Sequence, residues 1–198
     1  VLERTIGIVG LGKIGMAVAK RAIACDMTVR YQGPRRKADV DYPYHEDVLS
    51  LARESDCLVV TCPLVPATRH LVDAKVLDAL GADGFLVNVA RGPIIDEDAL
   101  IAALTEKRIA GAGLDVFSDE PRVPEALRAL DNVVMTPHYA SYTEEAYAEM
   151  LVLNSETPDD AVASVASTCS PKVAEIISQN QLRLLRHLLV PEIRNLGH

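Results

Sequence analysis

Ile8-Val9-Gly10-Leu11-Gly12-Lys13-Ile14-Gly15 is the stretch on which the fold turns. An apolar run, Thr5 to Val9, leads into it, and an alanine-rich segment, Met16 to Ala24, leads out. That order reads as strand, glycine turn, helix. Each glycine of Gly10-x-Gly12-x-x-Gly15 has its own task in such a turn. Gly10 lets the chain reverse sharply. Gly12 has no Cβ, so a pyrophosphate can reach the backbone. Gly15 lets the helix pack tightly on the strand. At Lys13 and Ile14 the helix start then offers unpaired N–H groups and the positive end of its dipole to an anion. Glycine turns of this kind also occur without a nucleotide, so the rest of the chain decides.

Outward from the turn, apolar runs recur with helical stretches between them. Thr28–Gln32, Cys57–Cys62, Gly84–Val89, Ile109–Val116 and Val133–Thr136 read as further strands. Cys57-Leu58-Val59-Val60-Thr61-Cys62 is apolar almost throughout, the pattern of a strand buried on both faces. In the first helix Ala17, Ala19, Ala22 and Ala24 permit close contact with a sheet. Asp73 caps a helix over Ala74–Leu80 that Gly81 stops, and Asp96 caps one over Glu97–Glu106 whose Leu100, Ile101 and Leu104 share a face. Pro124 suits a first helical turn, and Ser141-Tyr142-Thr143-Glu144 reads as a capping box. Strands that alternate with helices predict an α/β fold with a doubly wound parallel sheet in three layers, α/β/α. Right-handed crossovers put every strand C-terminus on one edge, where ligands bind.

Composition narrows the classes. The chain has 198 residues, 49% of them hydrophobic, enough for a substantial core. Its net charge is −8 and no basic stripe stands out, which argues against nucleic acid as a partner. The longest apolar runs are strand-length, so no membrane span is expected, and no signal segment opens the chain. Cys25, Cys57, Cys62 and Cys169 have no zinc-ligand spacing and read as reduced, small hydrophobes of a cytoplasmic protein. No metal cluster is visible. The first residue is Val1, which reads as a piece of a longer protein. From about Leu151 the style changes. The domain reading is a dinucleotide-binding domain over 1–150, a Ser/Thr/Asp/Ala-rich linker over 151–170, and an amphipathic helix with a tail over 171–198, the appendage of the fold.

The corner after the second strand bears on which dinucleotide is bound. In an NAD site an acidic residue there receives the ribose 2′-hydroxyl. Here the corner reads Gln32-Gly33-Pro34-Arg35-Arg36-Lys37, with no acid and three cations. Arg35 and Arg36 can pair with a 2′-phosphate that a carboxylate would repel. NADP(H) is therefore favoured, with NAD(H) as the alternative cofactor and a solvated basic turn as the bland reading.

Three further stretches sit at strand C-termini: Val87-Asn88-Val89-Ala90-Arg91-Gly92-Pro93, Gly113-Leu114-Asp115-Val116-Phe117-Ser118-Asp119-Glu120-Pro121, and Thr136-Pro137-His138-Tyr139-Ala140-Ser141. With the glycine turn and Thr61-Cys62-Pro63-Leu64, in this order, they resemble the D-isomer-specific 2-hydroxyacid dehydrogenases, and among them the glyoxylate/hydroxypyruvate and hydroxyphenylpyruvate reductases. The likeness covers about residues 1–150 and implies a Rossmann domain. It assigns Arg91 to the carboxylate and keto oxygen of a small 2-oxo or 2-hydroxy acid, a task suited to a planar fork. It assigns His138 as the acid/base at the carbonyl and Glu120 as its orienting partner. Asp115 becomes the ligand of the nicotinamide carboxamide, and Cys62, Pro63, Val89, Ala90, Arg91 and His138 line the cofactor. Taken singly, Arg91 reads as a surface cation, Glu120 as a loop carboxylate and His138 as a capping group; their joint placement on one sheet edge favours the catalytic reading.

The resemblance further implies a homodimer, and a substrate domain ahead of the glycine turn that this chain does not contain. The expectation is a chain that binds NADP(H) but turns over poorly. A sensor or corepressor-like dinucleotide module without catalysis is the competing reading, and an interaction protein docking through residues 171–190 is a third.

Overall fold

The computed structural model describes residues 4–139. The chain divides into two compact units, Val1–Pro137 and His138–His198. The expected capping box at Ser141, the linker over 151–170 and the helix and tail over 171–198 lie outside the described residues.

The first unit is built on a parallel sheet. Its strands are β1 (Thr5–Val9), β2 (Thr28–Gln32), β3 (Tyr44–His45), β4 (Cys57–Val60), β5 (Phe85–Asn88), β6 (Gly111–Leu114) and β7 (Val133–Met135). They lie in the order β3-β2-β1-β4-β5-β6-β7, and every pairing is parallel. The chain steps outward from β1 to β2 and β3, then returns to lay β4 on the other side of β1. This reversal makes the C-terminal ends of β1 and β4 the switch point of a doubly wound sheet.

Successive strand side chains point to opposite faces, and the two faces carry different helices. α1 (Lys13–Ala24) packs on the face of Ile8, burying Gly15, Ala19 and Ala22. α2 (Val48–Arg53), α3 (Ala74–Leu80) and α4 (Glu97–Thr105) cover the other face. There Leu51, Leu77, Leu100 and Leu104 join Val9, Leu58, Val60 and Leu86 in one buried cluster. A shorter helix, α5 (Glu125–Arg128), adds Leu127 to it.

The helix caps at Asp73 and Asp96 are present: their carboxylates accept the N–H groups of Val76 and Ala99 at 3.0 and 3.2 Å. α1 begins a turn earlier than its alanines indicate, and of those alanines Ala19 and Ala22 are buried while Ala24 is exposed. The buried set follows i, i+4, i+7 from Gly15, so the glycine fixes the contact stripe. Pro124 precedes α5 rather than opening it, because its ψ of 134° is extended. Two elements carry too little periodicity to be read from the chain: the two-residue β3, and the six-residue α2 with its cap at Asp47. β4 stops at Val60, short of the expected Cys62, since Thr61 and Cys62 turn in beneath the glycine turn. Among the described residues no helix is long and apolar enough to cross a membrane.

Candidate functional site

The glycine turn is held from both neighbouring strands. The Gly10 N–H donates to the Gln32 carbonyl at the end of β2, at 2.9 Å. From just past β4, the Thr61 hydroxyl donates to the Gly10 carbonyl at 2.7 Å. Gly10 has a φ of +95°, a conformation costly for any residue with a Cβ, and a Cβ there would lie 2.7 Å from the backbone of Cys62. At Gly15 a Cβ would stand 2.4 Å from the Gly10 carbonyl oxygen. Gly12 differs from both: nothing lies within 4 Å of where its Cβ would be.

These glycines therefore do two jobs. Gly10 and Gly15 close the turn onto strand and helix, while Gly12 keeps open a space at the start of α1. No acidic side chain lies in the first turn of α1 to compete for its N–H groups. Lys13 and Ile14 are exposed at that end. A pyrophosphate fits such a cradle, with the unpaired N–H groups and helix dipole as its partners.

The Gln32 bond sets the following corner beside the turn. Gly33 is buried, and Pro34, Arg35 and Arg36 are exposed. On the β4 side, Cys62 is buried and Pro63 exposed. Burial pushes the Cys62 thiol up from its ordinary value, so it stays neutral and acts as packing under Gly10.

Further along the same edge, Asn88 ends β5 at 1% exposure. Its side chain accepts the Ala90 N–H at 3.0 Å and donates to the Arg91 carbonyl at 3.1 Å. This brace curls Val89-Ala90-Arg91 around the strand end. Ala90 is buried, Val89 half-buried and Arg91 exposed, with Nη1 of Arg91 donating to the Ala90 carbonyl at 2.6 Å. At Gly92 a Cβ would lie 2.0 Å from the Phe117 carbonyl carbon. The loops after β5 and β6 thus touch backbone to backbone beside Arg91.

In the β6 loop, Asp115 is 2% exposed and accepts the Thr136 hydroxyl. Its N–H donates to the Asn88 carbonyl at 3.0 Å. Glu120 is exposed, and its carboxylate accepts the Phe117 N–H at 3.0 Å. One unit therefore brings Arg91, Asp115 and Glu120 to the edge that also bears the glycine turn. His138 opens the second unit, half-buried, with a φ of +58° that is rare for a residue with a side chain.

The braces at Thr61, Asn88 and Gly92 were not singled out by residue type. A polar residue at the end of an apolar strand, as Asn88 is, or just past it, as Thr61 is, is the signal that marks two of them.

A family model described as D-isomer specific 2-hydroxyacid dehydrogenase, NAD binding domain, matches residues 1–140. The chain is 53% identical over 156 residues to glyoxylate/hydroxypyruvate reductase A of Arabidopsis thaliana, covering 77% of this chain and 50% of that protein. It is 49% identical over 156 residues to hydroxyphenylpyruvate reductase of Plectranthus scutellarioides, with the same coverages of 77% and 50%. The fold is similar to the NADPH-dependent glyoxylate/hydroxypyruvate reductase of Sinorhizobium meliloti in complex with NADP and malonate. There the TM-score is 0.71 at 38% identity, over 78% of this chain and 51% of that one. The chain spans about half the length of the curated relatives it matches.

Proposed function

Because this chain belongs to the D-isomer-specific 2-hydroxyacid dehydrogenase family, we propose that it binds NADP(H) and serves the reduction of a 2-oxo acid of the glyoxylate/hydroxypyruvate type to a D-2-hydroxy acid. One observation carries the reading: an open cradle at Gly12, tied through Gly10 and Gln32 to a corner with two arginines and no acid. The nicotinamide group supplies the hydride. The chain's residues do the rest. Backbone N–H groups at Lys13 and Ile14 take the pyrophosphate. Gly33, Arg35 and Arg36 take the 2′-phosphate, which accounts for a preference over NAD(H). Cys62, Pro63, Val89 and Ala90 form the walls, and Asp115 accepts from the carboxamide.

Arg91 grips the substrate carboxylate and polarises its keto oxygen, where a guanidinium fork suits the planar acid. His138 gives the proton to that oxygen, with Glu120 as its orienting partner. The same reading makes residues 1–150 the dinucleotide-binding domain. It also makes the full-length protein a homodimer and its location the cytoplasm.

Titration of the purified chain with NADPH and NADH tests the cofactor. Arg35→Ala with Arg36→Ala is expected to weaken NADPH at least about tenfold, from the lost charge-assisted bonds, and NADH less than about twofold. Equal losses for both would remove the NADP(H) reading. Consumption of NADPH with hydroxypyruvate tests the chemistry: Arg91→Ala should abolish it while NADPH still binds. A measurable rate that Arg91→Ala leaves unchanged would overturn the role of Arg91.

A further inference from the structure

The corner that carries Arg35 and Arg36 is fastened by two phenols. Tyr31 lies in β2 at 1% exposure and Tyr44 in β3, and the sheet register sets them opposite each other. Their rings are tilted by 55°, with centroids 5.4 Å apart. The Tyr31 hydroxyl accepts the Lys37 N–H at 2.8 Å, and the Tyr44 hydroxyl donates to the Gly33 carbonyl at 3.1 Å. Gly33 and Lys37 bracket Pro34-Arg35-Arg36, so both ends of the exposed cationic segment are tied to one aromatic pair, Tyr31 buried and Tyr44 half-buried.

We propose that Tyr31 and Tyr44 are positioning residues for cofactor choice: their hydroxyls hold the Gly33–Lys37 corner in the shape that presents Arg35 and Arg36 to a 2′-phosphate. The inference rests on the NADP(H) reading above. The division of labour within each side chain supports it. The rings pack in the sheet, and any buried tyrosine must find a partner for its hydroxyl. Here both partners are backbone groups of the corner and not of a strand. A loop held before the ligand arrives loses less conformational freedom on binding. An unfastened corner would order only when a phosphate arrived, and a cofactor with a bare 2′-hydroxyl would not register the difference. Pro34 stiffens the same segment by restricting its own φ.

Tyr31→Phe and Tyr44→Phe keep the rings and delete the hydroxyls, so they separate the two jobs. In the full chain each is expected to weaken NADPH by about threefold to tenfold, the weight of one hydrogen bond. NADH affinity should stay within about twofold, so the NADPH-to-NADH ratio of dissociation constants is the readout. A purely structural role would lower both affinities together along with the urea midpoint, and that result overturns the proposal. An unchanged ratio in both variants overturns it too. The Arg35→Ala, Arg36→Ala chain is measured beside them. A selective NADPH loss there with no change in the tyrosine variants removes the phenol clamp alone; an equal loss of both cofactors there removes the NADP(H) reading beneath it.

Discussion

Alanine substitutions at Gly12 and Gly15 should separate binding from folding within one turn. Gly15→Ala places a Cβ 2.4 Å from the Gly10 carbonyl oxygen and 3.1 Å from both Ile8 Cγ2 and Thr61 Oγ1, where ordinary contact begins at 3.4 Å. The nearest atom is backbone, already held at 2.7 Å by the Thr61 hydroxyl, so it yields poorly. Overpacking of this kind costs about 1–3 kcal/mol, and the upper end applies because the obstacle is not a side chain. Alanine regains about 1 kcal/mol of helix propensity, which leaves a net loss near ~2 kcal/mol. With a urea slope of about 1–3 kcal/mol/M, the midpoint should fall by roughly 1 M. Gly12→Ala meets nothing within 4 Å and sits at a φ of −83°, open to any residue. Its stability should fall by less than about 1 kcal/mol. Its methyl group, however, fills the cradle, and NADPH affinity should drop at least about tenfold. Urea unfolding followed by circular dichroism, with NADPH titration of each variant, reads both quantities. A Gly12→Ala chain that binds NADPH normally would refute the assignment of the cradle. A midpoint that falls as far in Gly12→Ala as in Gly15→Ala would refute the packing account.

Two further outcomes follow from buried polar groups. Asn88→Ala removes both braces of the β5 loop and strands the Ala90 N–H and the Arg91 carbonyl, so unfolding free energy should fall by about 2–3 kcal/mol; a loss under about 0.5 kcal/mol in urea would count against the brace. The Cys57 thiol is pushed up to about 12, by burial first and by the Asp56 charge second. From about pH 9 upward the unfolded thiol gives up a proton that the folded one keeps, so stability should decline as pH rises toward 12. In Cys57→Ala that part of the decline should disappear from alkaline unfolding curves, and an unchanged slope would show that other groups account for it.

The sheet was legible where a strand is apolar on both faces and where a helix begins at an aspartate, as α3 and α4 do. Runs such as Cys57–Val60 and Phe85–Asn88 need no partner to be recognised. The caps at Asp73 and Asp96 act within three residues of themselves. What stayed hidden depends on residues far apart in the chain. Tyr31 and Tyr44 meet only through the pairing of β2 with β3, and β3 has two residues and no readable period. Thr61 reaches Gly10 across 51 positions. Gly92 reads as part of a loop motif; its reason, the backbone of Phe117, becomes visible only when two strand ends lie side by side. The candidate site was thus legible as a set of residue types on one edge. The braces that hold those residues at their stations were not.

The contact at Gly92 makes the β5 and β6 loops a single mechanical part. A shift of the Phe117–Ser118 backbone must move Gly92, and with it the neighbouring Arg91. The Phe117 N–H that holds Glu120 lies on the other side of the same contact. Perturbations on the two loops are therefore thermodynamically coupled: a double-mutant cycle between them carries a non-zero interaction energy even where the altered side chains never meet. Variation in this part of the molecule has to proceed by paired changes, and Gly92 is the position that enforces the pairing.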